Sequence, residues 1–166
     1  MSIVKSLADA LEPWAALFKA SKAIQIGVTF THLGALLVGG GLAVTKDREA
    51  LRAVSDGGAG PALVTKERAA IHRTVVGALM VLVLSGLALL TSDIETYLVS
   101  PVYWSKMTLV VLLLINGAWM LRIESRLAAD PRAAQPLWDT LRTSSRVSLA
   151  LWLSIVLAGV WLVNAA

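Results

Sequence analysis

The chain contains no cysteine. That removes any disulfide framework, any thiolate metal site and any thiol nucleophile. It has only two histidines, too few for an all-protein histidine cluster. Charged residues are scarce at 16%, against 57% hydrophobic, and the mean hydropathy is +0.72. An ordinary soluble domain is less apolar and more charged than this. The formal net charge of +4 would suggest an acidic partner in a soluble protein. Here the basic residues sit at the ends of apolar stretches, so their partners are lipid headgroups and not nucleic acid.

What is present in abundance is apolar sequence of bilayer length. The run AIQIGVTFTHLGALLVGGGLAV, 23–44, has no formal charge. At 1.5 Å rise per residue it crosses a hydrocarbon core of about 30 Å. Further spans are expected at about 69–90, 102–121 and 147–163. Residues 1–22 read differently. Ile3, Leu7, Leu11, Trp14 and Phe18 recur at three- and four-residue steps and form one apolar stripe, with Lys5, Asp9, Glu12 and Lys19 mostly elsewhere. A signal peptide would have a positive start, a continuous apolar core and a small-residue cleavage site, and this segment has none of that form. It is expected to be an amphipathic helix on the membrane surface, with Trp14 at the interface and Pro13 bending it. The fold class is therefore all-α. Residues 23–166 form a single four-span transmembrane domain, a four-helix bundle behind the N-terminal surface helix.

The connections are consistent with hairpins. The charged residues after Val44 and before Asp56 continue the first helix beyond the bilayer, and Gly57, Gly58, Gly60 and Pro61 break it. Thr65 is placed to cap the next helix, and Asp130 followed by Pro131 to start the last. SDIETYLVSPVYW, 92–104, is short and holds no Lys or Arg, and its Tyr97, Tyr103 and Trp104 make an aromatic belt. Lys46, Arg48, Arg52, Lys66 and Arg68 lie between spans one and two. Arg122, Arg126, Arg132, Arg142 and Arg146 lie between spans three and four. The positive-inside rule then puts both basic loops in the cytoplasm and both termini outside it.

His32 is the residue most in need of explanation, because an ionisable group inside a membrane is costly and by default marks function. Gln25, Thr29, His32 and Leu36 share one helical face, and Gly27, Gly34 and Gly41 line the opposite one at seven-residue spacing. Polar groups on one side and small residues on the other predict a helix packed on both sides, the most buried of the four. Three readings of His32 stand. It is a neutral imidazole hydrogen-bonded across the bundle, to Asn116 or a serine, or it is a haem or metal ligand, with a proton or substrate role as a third use. Paired ligation with His72 is disfavoured by depth. His32 lies roughly 18 Å from the cytoplasmic end of its helix and His72 roughly 6 Å from the same end of its own. Lys106 either snorkels to the interface or serves as counter-ion for a carboxylate or propionate. Asn116, Gly117 and Gly159 are expected at helix contacts, Gly159 on one face with Ser148, Trp152 and Ile155. No carboxylate lies deep in any span, which leaves a chain-of-acids pump or a carboxylate-lined pore without support.

HLGALLVGGGLA, 32–43, and YWSKMTLVVLLLINGAWM, 103–120, resemble small four-helix bacterial inner-membrane proteins of unassigned function. They are also similar to membrane helices of copper-resistance-D-type proteins, where a His near a Gly-Gly pair and an aromatic-x-Lys helix start recur. That resemblance implies metal or haem handling at His32 and an inner-membrane location. The residues themselves, with no assembled catalytic set, point to a non-enzymatic accessory or structural subunit that packs with itself or with a larger membrane complex. A b-type haem or metal-binding protein of electron transfer or cofactor handling is the alternative. Gln25, Thr29 and Lys106 are then further candidates for the cofactor site.

Overall fold

The structure is a computed structural model that describes residues 3–55, 65–129 and 135–165. Among them are six helices and no strand: α1 (Ile3–Ala20), α2 (Lys22–Ser55), α3 (Thr65–Ser92), α4 (Ile94–Val99), α5 (Pro101–Ala129) and α6 (Gln135–Ala165). The fold is all-α, a four-helix transmembrane bundle behind an amphipathic N-terminal helix. The four apolar spans are Lys22–Glu49, Thr74–Ser92, Pro101–Arg126 and Leu137–Leu162. Many large apolar side chains, such as Phe30, Leu37, Leu84 and Leu153, are exposed on the outside of the bundle, as an integral multi-pass membrane protein requires.

The helix joints are tight because polar side chains satisfy the orphan backbone groups there. Ser21 alone separates α1 from α2, and its hydroxyl caps α2 by accepting from Ile24 N at 3.4 Å. Asp93 caps α4 by accepting from Thr96 N. Ser100 caps α5, and Pro101 occupies that helix's first position. α4 is a short helix within the 92–104 connection, where the aromatic belt forms a cluster. Tyr103 stacks edge-on to Trp104 with centroids 5.4 Å apart and lies 6.3 Å from Tyr97. α1 continues through Pro13 and packs on α3, α2 and α4. Trp14 Nε1 donates to the Ala88 carbonyl of α3 at 3.0 Å and so fastens α1 to the bundle. The glycine turn at 57–61 and the Asp130–Pro131 helix start lie outside the described residues.

The spans pair as two hairpins, α2 with α3 and α5 with α6, joined along a seam between α2 and α6. Among the described residues no Cα of α3 comes within 8 Å of one in α5. The helices therefore lie in the order α3, α2, α6, α5, with a cleft between the two outer members. α6 begins well before its expected span. Leu137, Trp138 and Leu141 follow one face and pack with Met120 and Ile123 of α5. The segment that reads as a basic loop is thus largely helix, with Arg142 and Arg146 on its exposed side.

Two packing expectations fail. The last span is the most buried, with 28% of its most apolar 18-residue stretch enclosed against 17% in the first. Ser144, Ser145, Ser148, Trp152 and Ile155 are all buried on α6, which like α2 touches both hairpins. Gly27, Gly34, Gly41 and Gly117 also do not sit at helix contacts within the chain. A Cβ added at any of them meets nothing within 4 Å. The reason lies on α2 itself: its polar face turns inward to satisfy His32, which carries the opposite glycine face away. Close approach is made by neighbouring glycines instead. An added Cβ at Gly39 would meet Ala78 Cβ at 3.2 Å, and at Gly40 the Trp152 ring at 3.2 Å.

Candidate functional site

The inner face of α2 runs His32, Ala35, Gly39, Gly40, Ala43, Asp47 at helical steps, and polar groups stand at both ends of it. At the end nearer the chain termini, His32 Nδ1 lies 3.0 Å from Ser85 Oγ of α3. The Ser85 hydroxyl has one proton, and the carbonyls of Val81 (2.7 Å) and Leu82 (3.2 Å) of its own helix are within its reach. With that proton on a carbonyl, Ser85 accepts from Nδ1–H; with it on the imidazole, Nδ1 accepts, and the heavy-atom geometry serves both tautomers. The backbone of Leu82 on α3 is a second hydrogen-bonding neighbour of the His32 ring. Gly86 makes room for the ring, since a Cβ there would stand 3.3 Å from His32 Cε1.

Lys106 reaches the same region from α5. Its Nζ lies where a Cβ on Gly159 of α6 would meet it at 3.6 Å, and its charge acts on His32. Among the described residues it has no hydrogen-bond or ion-pair partner. Two residues singled out separately in the sequence, a deep imidazole and an inward lysine, therefore converge between the hairpins.

The other candidates are placed elsewhere. Gln25 Nε2 donates to Phe18 O at 2.9 Å and Lys19 O at 3.1 Å, so this side chain closes the carboxyl end of α1 and does not enter the His32 site. Thr29 shares the His32 face but is exposed. Asn116 and Ser144 exchange two hydrogen bonds, Nδ2 to the Ser144 carbonyl at 2.9 Å and Ser144 Oγ to Asn116 Oδ1 at 2.8 Å, and so fasten α5 to α6. His72 belongs to α3, and its side chain lies outside the described residues. Because Ser85 stands level with His32, position 72 falls thirteen residues along the helix axis, about 20 Å away at the standard rise. No group of three or more His, Cys, Asp or Glu able to hold a metal occurs among the described residues.

One residue escaped the sequence reading. Asp47 is only 3% exposed, and its Oδ2 has no hydrogen-bond partner among the described residues. Ser148 of α6 is its hydrogen-bonding neighbour, with the charges of Glu124 and Lys46 nearby. It lines a cleft of about 320 Å³ between α3 and α5, walled by Val76, Leu79, Leu114 and Leu121 and bounded by Trp152. Gly117 lines the same cleft, where the lack of a side chain widens the space. In the sequence Asp47 stands among Lys46, Arg48 and Glu49 and reads as solvated. The available signal was its register, four residues beyond Ala43 on the face that carries Gly39 and Gly40.

No protein-family model matches the chain, and no curated protein or solved structure matches it either.

Proposed function

We propose that this membrane protein is a non-enzymatic subunit that assembles with a second copy of itself through α2, in an inner membrane, with its basic ends in the cytoplasm. One observation carries the reading. Gly27, Thr31, Gly34, Val38, Gly41 and Thr45 follow one another at alternating steps of four and three, the spacing of a helix–helix seam, and no helix among the described residues covers them. Small residues are what membrane helix contacts select, because backbone packing stands in for a hydrophobic driving force that lipid does not provide. The polar members of the seam are already satisfied. Thr31 Oγ1 donates to Gly27 O at 2.8 Å and Thr45 Oγ1 to Gly41 O at 2.9 Å, so the face presents no unmet donor to a partner. The same spacing on a second copy is self-complementary about a twofold axis.

The absence of native cysteine makes the test clean. Single cysteines at Thr31, Gly34, Val38 and Gly41 are expected to give disulfide dimers in oxidised membranes, in the rhythm of the seam. Leu84→Cys, on the exposed side of α3, should remain monomeric. Equal cross-linking at every exposed position would reject the seam.

A second reading is favoured by the contact between His32 and Ser85. A ligating histidine holds its other ring nitrogen to a second-shell acceptor, the arrangement that Ser85 offers. A b-type haem would be held by the His32 imidazole, with the Lys106 ammonium as counter-ion for a propionate. A haem bound there would supply one-electron chemistry. A bare metal cation fits less well beside the Lys106 ammonium. The test is an absorption spectrum of the purified protein: a Soret band that disappears in His32→Ala and survives in His72→Ala supports this reading.

A further inference from the structure

The cleft between α3 and α5 is apolar along its length and carries an enclosed carboxylate at one end. Removing a carboxylate from water is expensive unless a charge or hydrogen-bond donors replace the water. Asp47 has neither in full measure. Ser148 attends it, but Oδ2 has no partner, and Glu124 adds a second negative charge close by. The volume, about 320 Å³, falls at the lower end of the roughly 300–1,000 Å³ that small-molecule sites occupy. The walls come from two helices that do not touch, so an occupant can enter sideways from the bilayer. Asp47 and Glu124 each stand two residues inside the end of a span, at Glu49 and Arg126 respectively. The acidic end of the cleft is therefore at headgroup depth, and its greasy end points into the membrane.

We infer that this cleft binds a lipophilic organic cation, its ammonium group on the Asp47 carboxylate and its apolar body between Leu79 of α3 and Leu114 of α5. The occupant must bring a hydrogen-bond donor, because the unmet group is an acceptor, and positive charge, because the Asp47 and Glu124 carboxylates together outweigh Lys46. It must also bring an apolar body, because beyond the end that holds Lys46, Asp47, Glu124 and Ser148 the walls are aliphatic. A hydrated inorganic ion would satisfy the first condition and fail the second. The torsion that orients the carboxylate is soft, so Oδ2 can turn to meet the incoming N–H. Lys46 lines the same cleft and opposes cation binding, so its charge tunes affinity downward.

The full chain in lipid nanodiscs can be tested by equilibrium dialysis with 4-phenylbutylammonium, with empty nanodiscs subtracted. One saturable site per chain is expected. Asp47→Asn should weaken it at least tenfold, and the neutral analogue 4-phenylbutanol should bind at least tenfold more weakly to the parent. Lys46→Gln should bind at least as tightly as the parent. Leu114→Trp, which fills the cleft without altering charge, should abolish binding, and it serves if Asp47→Asn proves unstable. Absence of saturable binding, parent-like affinity in Asp47→Asn or in Leu114→Trp, or equal binding of the alcohol would each overturn the inference. None of these outcomes depends on whether α2 pairs with a second copy.

Discussion

Gly34 and Gly40 lie six residues apart on α2, and their surroundings give them opposite roles. A side chain at Gly40 would press into the Trp152 ring at 3.2 Å, whereas one at Gly34 meets open space. Gly40→Val is therefore expected to lower stability by about 1–3 kcal/mol through overpacking. Gly34→Leu should leave the melting of the isolated chain within about 0.5 kcal/mol of the parent and act on association instead. Thermal unfolding in detergent at dilutions where the chain is monomeric separates the two. At the α4 corner, burial pushes the Tyr97 phenol above its usual range, and the Asp93 charge adds to the effect. The neutral phenol is the form the fold favours. Its contribution is present in full below the unfolded value of about 10 and is lost as pH rises through the higher folded value. Tyr97→Phe should accordingly flatten the alkaline limb of a stability profile and leave the neutral region unchanged. An unchanged alkaline limb would place that loss elsewhere.

At the scale of elements, the clearest prediction concerns α1. Trp14 is its hydrogen-bonded tie to α3, through Ala88 O. Trp14→Phe keeps an aromatic ring near Phe18 but removes the donor, at a cost of about 1 kcal/mol. Amide exchange should quicken along α1 while α2, α5 and α6 keep their protection. If α1 exchanges as in the parent, its apolar stripe and not the tryptophan holds it down. The same scale shows what could be read in advance. The existence of four spans was legible because bilayer thickness fixes their length and their lack of charge is conspicuous. The start of α6 was not. Leu137, Trp138 and Leu141 are spread among charges, and their common face appears only when Met120 and Ile123 are set opposite them. The need of His32 for a bundle partner was legible, but the choice of Ser85 was not, since serines recur along the spans and only helix register picks one. Asp47 was hidden for the converse reason: its neighbours in sequence are solvated, and its neighbours in space belong to α6.

For the whole molecule, the arrangement of helices and the distribution of charge make one statement together. Four spans return the chain to the side on which it started, so α1, the α4 corner and the end of α6 share one face of the membrane. That face is marked by Trp14, Tyr97, Tyr103 and Trp104, while the opposite face gathers Lys46, Arg48, Arg52, Arg122, Arg126, Arg142 and Arg146. Short loops rich in Lys and Arg are retained on the cytoplasmic side, and acidic residues count for little in the rule. Lys5, Lys19 and Lys22 oppose this orientation from the other face, but they are outnumbered, and Lys106 lies within a span. A C-terminal alkaline-phosphatase fusion expressed in a bacterial host is therefore expected to be active, and a C-terminal fluorescent-protein fusion dark. The orientation also decides which leaflet feeds the α3–α5 cleft, since Asp47 stands at the basic end of α2. With the basic face in the cytoplasm, a lipophilic cation enters from the inner leaflet, whose anionic headgroups concentrate it. The reverse fusion pattern would mean that the N-terminal lysines set the topology, and it would move the mouth of the cleft to the outer leaflet.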